Sequence, residues 1–435
     1  MKHCIACGRK ILKKPLFVLE HAPASAQDIP DAEEVKTDEG VTLRLYQCAE
    51  CGLVQFDCAP VSYYRDVIRA GGFTTTMTGL RREQYRHLIE AYHLEGRKFL
   101  EVGCGRGEFL NVLREFPVEV YGMEHKADLV EIARESGLSV WREFPEQADQ
   151  VFGGPGPYDV FLSFNFLEHQ PRPDVMLQAI YRNLADDGMG LVTVPALEYI
   201  LEQGSYYELI RDHIAYYSFD TLRALMEKNG FVVLEEEMLN RDTISVIVKK
   251  NPEWTERVPE MEPKAGSGRQ KETAEPEAGS DERKQTAEPE AGSDERKEPK
   301  TDSDAGGGQE EIVRPLVDGY YRVTGEVEAL IRRMEAEGKR LAVWGASHQG
   351  FTLAATTGLK DSACYIIDSA AFKQGRFAPS SHLPIVAPEH FFEEPVDAVL
   401  IVAPGYSDEI AGIIRERFGK NVCVMTLRTD HIEYL

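Results

Sequence analysis

No apolar stretch in this chain approaches the roughly 20 residues that a bilayer span requires. The N-terminus, MKHCIACGRK, lacks the apolar core of a secretory leader. Both absences lead us to expect a cytoplasmic protein with no membrane partner. Basic residues are scarce too: 49 Lys and Arg stand against 73 Asp and Glu, a formal net charge of −24. That balance excludes a broad nucleic-acid or anionic-membrane surface, since nothing draws it to phosphate. A small anionic substrate, held by a few local arginines, is still allowed. Cysteines number eight in 435 residues, and in a reducing compartment metal binding or isolated burial explains them better than disulfides. Large apolar residues almost vanish between Trp254 and about residue 310, where TAEPEAGSDERK occurs at 273–284 and again at 286–297. Such a composition cannot bury enough surface to offset its ordering entropy, so residues 251–310 are expected to be a disordered linker with a duplicated segment.

On either side of that linker, short apolar runs alternate with amphipathic stretches. KFLEV, VEVYGME, YDVFLSFN, MGLVTVP, FVVLEEE and TISVIVKK read as strands, and the stretches near 107–115, 126–136, 173–185 and 219–229 read as helices. Strand–helix alternation of this kind predicts an α/β fold with an open, Rossmann-like sheet. LAVWG, CYIIDS, DAVLIVAP and VCVMTL repeat the rhythm and predict a second, smaller α/β domain over 311–435. The expected organisation is a cysteine-rich block at 1–60, an α/β domain at 61–250, the linker, and the smaller domain.

In the first block, Cys4-x-x-Cys7 and Cys48-x-x-Cys51 are each followed by glycine, Gly8 and Gly52. Four thiolates make a closed tetrahedral site, so Cys4, Cys7, Cys48 and Cys51 are expected to hold a structural zinc. A thioredoxin-like redox pair is the competing reading, but no βαβ context surrounds either motif. Cys58, Cys104, Cys364 and Cys423 have no partner spacing and read as small buried hydrophobes.

FLEVGCGRGEFL (99–110) places Gly103, Gly105 and Gly107 between a strand and a helix, where backbone can approach a ligand. The spacing is G-x-G-x-G, unlike the dinucleotide G-x-G-x-x-G. Glu101 stands ahead of the loop. Glu124 closes the next strand, where a ribose-binding carboxylate is expected. Acidic residues here suit a cofactor with a sulfonium and an amino group better than one with a pyrophosphate. Together with FNFLEHQP (164–171), the pattern resembles the class I S-adenosylmethionine (SAM) methyltransferases.

All three blocks resemble the NDP-sugar C-methyltransferase family, in which the linker and its duplication have no expected counterpart. The cysteine pairs with APASAQDIP (22–30) are similar to its zinc-binding domain. Residues 97–250 are similar to its SAM domain. VWGASHQGFTL (343–353), FKQGRFAPSSHLPI (372–385) and APGYSDEI (403–410) are similar to its C-terminal domain. The resemblance implies carbon methylation of a nucleotide-linked keto-sugar, a small-molecule partner. In RDHIAYYS (211–218) it implies that Asp212-His213, Tyr216 and Ser218 face the transferred methyl group. His213 is then the base that removes a proton beside the ketone, its ordinary pKa near 6.5 suiting it to that task. Tyr216, or the Tyr63-Tyr64 pair, would hydrogen-bond the enolate. Asp212, where the family has Glu, would orient the imidazole.

A run of arginines departs from the family: Arg65, Arg69, Arg81, Arg82 and Arg86 could bind a diphosphate or could balance acidic neighbours. GASHQG (345–350), with Asp368 some twenty residues on, imitates a dinucleotide loop, but Ser347 replaces its middle glycine. That domain is expected to bind no cofactor. Lys373, Arg376 and His382 either touch substrate or belong to a surface loop. The alternatives are an O- or N-methyltransferase on a carbohydrate or other small molecule, an NAD-dependent oxidoreductase, and a zinc-knuckle scaffold with an inactive methyltransferase domain.

Overall fold

The computed structural model describes residues 3–11, 14–66, 75–255 and 309–435. The duplicated segment, almost all of the expected linker, and Arg69 lie outside the described residues.

Three sheets organise the chain. The first begins with β1 (Phe17–Ala22), β2 (Val41–Gln47) and β3 (Val54–Phe56), each antiparallel to the next. Alternation in VTLRLYQ turns Leu43 and Leu45 into the core. Then α1 (Thr75–Tyr92) leads to β4 (Lys98–Val102), α2 (Glu108–Leu113), β5 (Glu119–Glu124), α3 (Ala127–Glu135) and β6 (Ser139–Arg142). The same layer continues through β7 (Tyr158–Phe164), α4 (Pro173–Asn183), β8 (Leu184–Pro195) and α5 (Leu197–Gln203). After β9 (Ala215–Tyr216) and α6 (Phe219–Lys228), β10 (Phe231–Leu239) and β11 (Thr243–Lys250) return to it.

This second sheet runs in the order β10-β11-β8-β7-β4-β5-β6. The strands β4 to β8 are parallel, and β11 lies antiparallel between β8 and β10. YDVFLSF is almost continuously buried, as a parallel strand covered on both faces must be. Strand order reverses beside β4, and in open α/β sheets the crevice at the carboxyl ends of such strands takes the ligand. This is the sheet order of a class I methyltransferase fold.

The third sheet is built from α7 (Gln309–Ala336), β12 (Leu341–Trp344), α8 (His348–Thr356), α9 (Leu359–Ser362), β13 (Ala363–Ile367), β14 (Ile385–Val386), β15 (Ala398–Ile401), α10 (Ser407–Arg417), β16 (Cys423–Arg428) and β17 (His431–Tyr434). Its order is β14-β13-β12-β15-β16-β17, parallel except for β17. Tyr206 and Tyr207, fully buried, tie it to the loop after α5: their hydroxyls meet Thr356 Oγ1 at 3.0 Å and the Thr429 carbonyl at 2.6 Å.

Seven of the described strands were not expected: β1, β2, β3, β6, β9, β14 and β17. β9, taken from RDHIAYYS, pairs antiparallel with β3 and completes the first sheet, Val54 opposite Tyr216. Among the described residues no helix is long and apolar enough to cross a membrane.

Candidate active site

Gly8 and Gly52 adopt φ of 77° and 76°, the left-handed region open to glycine. Their amides donate to the Cys4 and Cys48 carbonyls at 2.8 and 3.0 Å. The two knuckles bring Cys4 Sγ to 3.5 Å from Cys51 Sγ and Cys7 Sγ to 3.4 Å from Cys48 Sγ. All four sulfurs lie within 4.8 Å of one another. A tetrahedron with metal–sulfur bonds of 2.3 Å sets sulfurs about 3.8 Å apart, so the set fits a metal ion with small adjustment. Sharing a proton across this contact lowers Cys51 and raises Cys4 relative to an ordinary thiol.

The glycine loop opens a second site. Gly103, Met123, Glu124, Phe144 and Phe166 line a pocket at the carboxyl ends of β4 and β5. A Cβ on Gly103 would stand 3.2 Å from the Phe166 ring, so the bare backbone is what keeps this wall open. Glu124, 5% exposed, accepts from Gly105 N and Lys126 N, each at 2.9 Å. Each amide fixes one carboxylate oxygen, which holds the carboxylate in place at the pocket. Gly107 caps α2 with φ of 80° and packs on Leu138, while Glu101 is fully buried at the end of β4. Neither lines the pocket, and Gly105 reaches it through Glu124. Phe144 was missed by sequence reasoning. It follows β6, a four-residue edge strand whose half-exposed pattern carries little periodicity.

The strap ahead of α1 covers this pocket. Tyr64 meets Phe144 edge-on with ring centres 5.9 Å apart, and its hydroxyl accepts from Arg65 Nε at 3.1 Å. Arg65 pairs with Glu146, and Asp66 with His125 at 2.6 Å. Arg81 is buried against the rings of Phe164 and Phe109, whereas Arg82 and Arg86 pair with Glu115 and Glu83. The described arginines of this run therefore form no shared concave patch.

One turn beyond Phe166 lies a histidine pair. His169 Nδ1 stands 2.8 Å from the Asp212 carbonyl. A carbonyl only accepts, so Nδ1 carries the proton and Nε2 presents a lone pair. Its ring meets His213 edge-on at 4.8 Å. Ligand atoms of Glu168, His169 and His213 all lie within 4.8 Å of one another. Burial pushes His169 down to about 4. Burial, with the nearby charges of His169 and His348, pushes His213 well below its ordinary value. Both rings are neutral at neutral pH.

In RDHIAYYS the Tyr216 ring meets His213 edge-on at 6.2 Å, but the polar groups of its other members are engaged elsewhere. Asp212 accepts from Tyr63 Oη at 2.6 Å and from Ala26 N at 2.9 Å, so its carboxylate is turned away from the imidazole. Tyr63 is held in turn by Ser25 at 2.5 Å. The Tyr216 hydroxyl accepts from Ile210 N at 2.9 Å and donates to the Ile210 carbonyl. Ser218 caps α6, accepting from Thr221 N. These bonds join side chains to backbone groups and to side chains far away in sequence, and no sequence pattern announces them.

In the third sheet, Asp368 accepts from Ala346 N at 2.9 Å and pairs with Lys373 at 3.2 Å. Arg376 donates to the Ile29 carbonyl and His382 meets Asp38, so both dock on the cysteine-bearing block.

Residues 77–236 match a family described as a methyltransferase domain, and residues 285–424 match one described as a C-methyltransferase C-terminal domain. The C-methyltransferase NovU of Streptomyces niveus is 24% identical over 319 residues, 73% of this chain and 68% of that protein. A ubiquinone biosynthesis O-methyltransferase of Thiobacillus denitrificans is 32% identical over 99 residues, 22% of this chain and 43% of that protein. The match therefore spans less than half of that relative's length. Among solved structures, the magnesium protoporphyrin IX methyltransferase of Synechocystis PCC 6803 with bound SAH aligns at 16% identity and TM-score 0.33, covering 43% of this chain and 91% of that one. Two successive domain matches and a C-methyltransferase relative spanning most of both chains agree with the sheet order: the chain is a SAM-dependent methyltransferase, similar to the C-methyltransferases.

Proposed function

We propose that the protein methylates a carbon beside the ketone of a nucleotide-linked sugar, with His213 taking the proton from that carbon. The observation that carries this reading is the neutral His169–His213 pair, one turn beyond the phenylalanine that walls the cofactor pocket. SAM, when bound, supplies an electrophilic methyl group. Gly103, Phe144 and Phe166 would enclose the cofactor, and Glu124 would accept from its ribose hydroxyls. A neutral imidazole can accept the α-proton, and the Glu168 carboxylate, within 4.8 Å, would balance the charge formed. Asp212 instead positions the backbone carbonyl that sets the His169 tautomer. Among the described residues, the Tyr64 phenol accepts a hydrogen bond but has no acceptor for its own proton, unlike Tyr63 and Tyr216. Tyr64 is therefore our candidate donor to the enolate oxygen. We assign a structural zinc to the four thiols, and the cytoplasm, where thiols stay reduced, as the setting.

The test is deuterium washout. A nucleotide-linked keto-sugar incubated in D2O with the enzyme and S-adenosylhomocysteine should exchange its α-hydrogen. His213→Asn should slow both exchange and methylation by about 10²–10⁴, with cofactor affinity unchanged. A methylated oxygen with no exchange would replace carbon transfer by O-transfer.

A further inference from the structure

In a chain with 73 acidic residues and 49 basic ones, a cation without an acid beside it is informative. Arg65, Arg82, Arg86 and Arg97 all have carboxylates within ion-pair distance. Arg211, the first residue of RDHIAYYS, has none among the described residues, and its Nη1 is buried with no hydrogen-bond partner. Its neighbours are accounted for. Asp212, close enough to feel its charge, already receives Tyr63 and the Ala26 amide. Glu208 receives His348 at 3.1 Å and Gln349 at 2.6 Å. The Cys58 thiol, also within electrostatic reach, is kept protonated by burial. A buried guanidinium N–H with no acceptor is unfavourable unless something arrives to accept from it.

That acceptor can come from the solvent side. Arg211, itself only partly buried, lines a shallow cleft whose other walls come from three separate parts of the fold. Ser25 and Ala26 belong to the APASAQDIP loop, Ile210 to the turn before His213, and His348 and Phe351 to α8 of the third sheet. Its enclosed part holds little more than a water, so no whole ligand is engulfed there. It suits an anionic oxygen reaching in at the mouth, with the rest of the molecule outside. A guanidinium's fork of donors matches phosphate oxygens in pairs.

We propose that this pocket is an anion subsite in which Arg211 binds a phosphate of the substrate's diphosphate link. Arg211 is then the residue that selects nucleotide-linked over free sugars, and α8 forms the far wall of its site. The inference rests on the sugar-nucleotide reading above and gives that substrate a point of attachment. It also relocates the diphosphate contact from the described arginines near α1, which are paired or buried, to one that sequence spacing does not single out.

The test reads binding rather than turnover. Full-length protein saturated with S-adenosylhomocysteine is titrated with inorganic pyrophosphate, uridine diphosphate and malonate by calorimetry. Pyrophosphate and the nucleotide should bind, more weakly at high salt, and malonate should not. Arg211→Gln should weaken nucleotide binding at least tenfold with cofactor affinity unchanged, and Arg211→Lys should recover part of the loss. Should the variants fold poorly, wild-type protein still decides: pyrophosphate should protect Arg211 from phenylglyoxal, read by peptide mass spectrometry. Unchanged labelling, equal nucleotide affinity in Arg211→Gln, or preference for malonate would each overturn the assignment. Arg211-dependent nucleotide binding without deuterium washout would keep the subsite and remove the carbon-transfer reading. Washout without anion binding would do the reverse.

Discussion

At the scale of residues, a histidine held neutral by burial behaves differently from one on the surface. His213 stays unprotonated well below pH 6.5, because burial and nearby His169 and His348 disfavour its charge. We therefore expect kcat/KM to stay level from pH 8 down through pH 6, where an ordinary imidazole base would already be lost. A pH–rate profile falling with a midpoint at 6.5 or above contradicts this placement. Stability follows the same sign. His169 titrates near 4 when folded and near 6.5 when unfolded, so as pH falls the unfolded chain takes up the proton first. The contribution is complete above about pH 6.5 and is lost as pH drops toward 4, roughly 3 kcal/mol in all. His169→Gln should flatten the melting temperature across that window. At Glu124, replacement by Ala removes a charged acceptor and should weaken SAM binding by about 1.5–3 kcal/mol per lost hydrogen bond, measured by calorimetry. Glu124 and the glycines were legible because strand-end spacing locates them. The directions of Asp212, Tyr216 and Arg211 were not, since backbone and side-chain partners far apart in sequence decide them.

Elements divide the same way. Apart from β6, the strands of the second sheet and helices α2, α3, α4 and α6 show clear periodicity, and all appear within a few residues of where the pattern puts them. β9 was invisible: two residues, Ala-Tyr, are too short to show an alternation and are strand only because β3 waits beside them. Within the cofactor loop, Gly107 offers the sharpest test. Its φ of 80° and the Leu138 methyl, 2.2 Å from where a Cβ would sit, oppose any side chain. Gly107→Ala should destabilise the protein by about 1–3 kcal/mol and shift the N-terminus of α2 away from the cofactor pocket. Chemical denaturation and SAM titration should move together; unchanged values for both would show the loop to be more tolerant than its packing implies. For the thiol cluster, Cys4→Ser should abolish stoichiometric zinc on elemental analysis and loosen the first sheet, because metal binding there is folding free energy.

For the whole molecule, the contact between α5 and α7 decides whether the third sheet behaves as a separate body. A Cβ on Gly319 would fall 2.0 Å from the Gly204 carbonyl, a backbone atom that cannot step aside. Gly319→Val should therefore lift α7 from the loop carrying Tyr206 and Tyr207, costing about 1–3 kcal/mol. If α8 walls the anion subsite, the same variant should weaken nucleotide binding while sparing the cofactor pocket, whose lining shares no residue with it. Equal affinity for the nucleotide in a destabilised variant would separate the two effects.

The late strand β9 also sets an order of events during synthesis. Residues 17–56 supply three strands of the first sheet, but the fourth lies some 160 positions further along the chain. At roughly 5–20 residues per second, the ribosome leaves β3 with a bare edge for about 8–32 seconds. That edge, Val54–Phe56, is apolar at both ends and fully buried in the finished protein, the kind of template that pairs with a neighbouring chain. Nascent protein is thus most prone to misassociate before Tyr216 emerges, and slower translation of residues 57–216 lengthens that exposure.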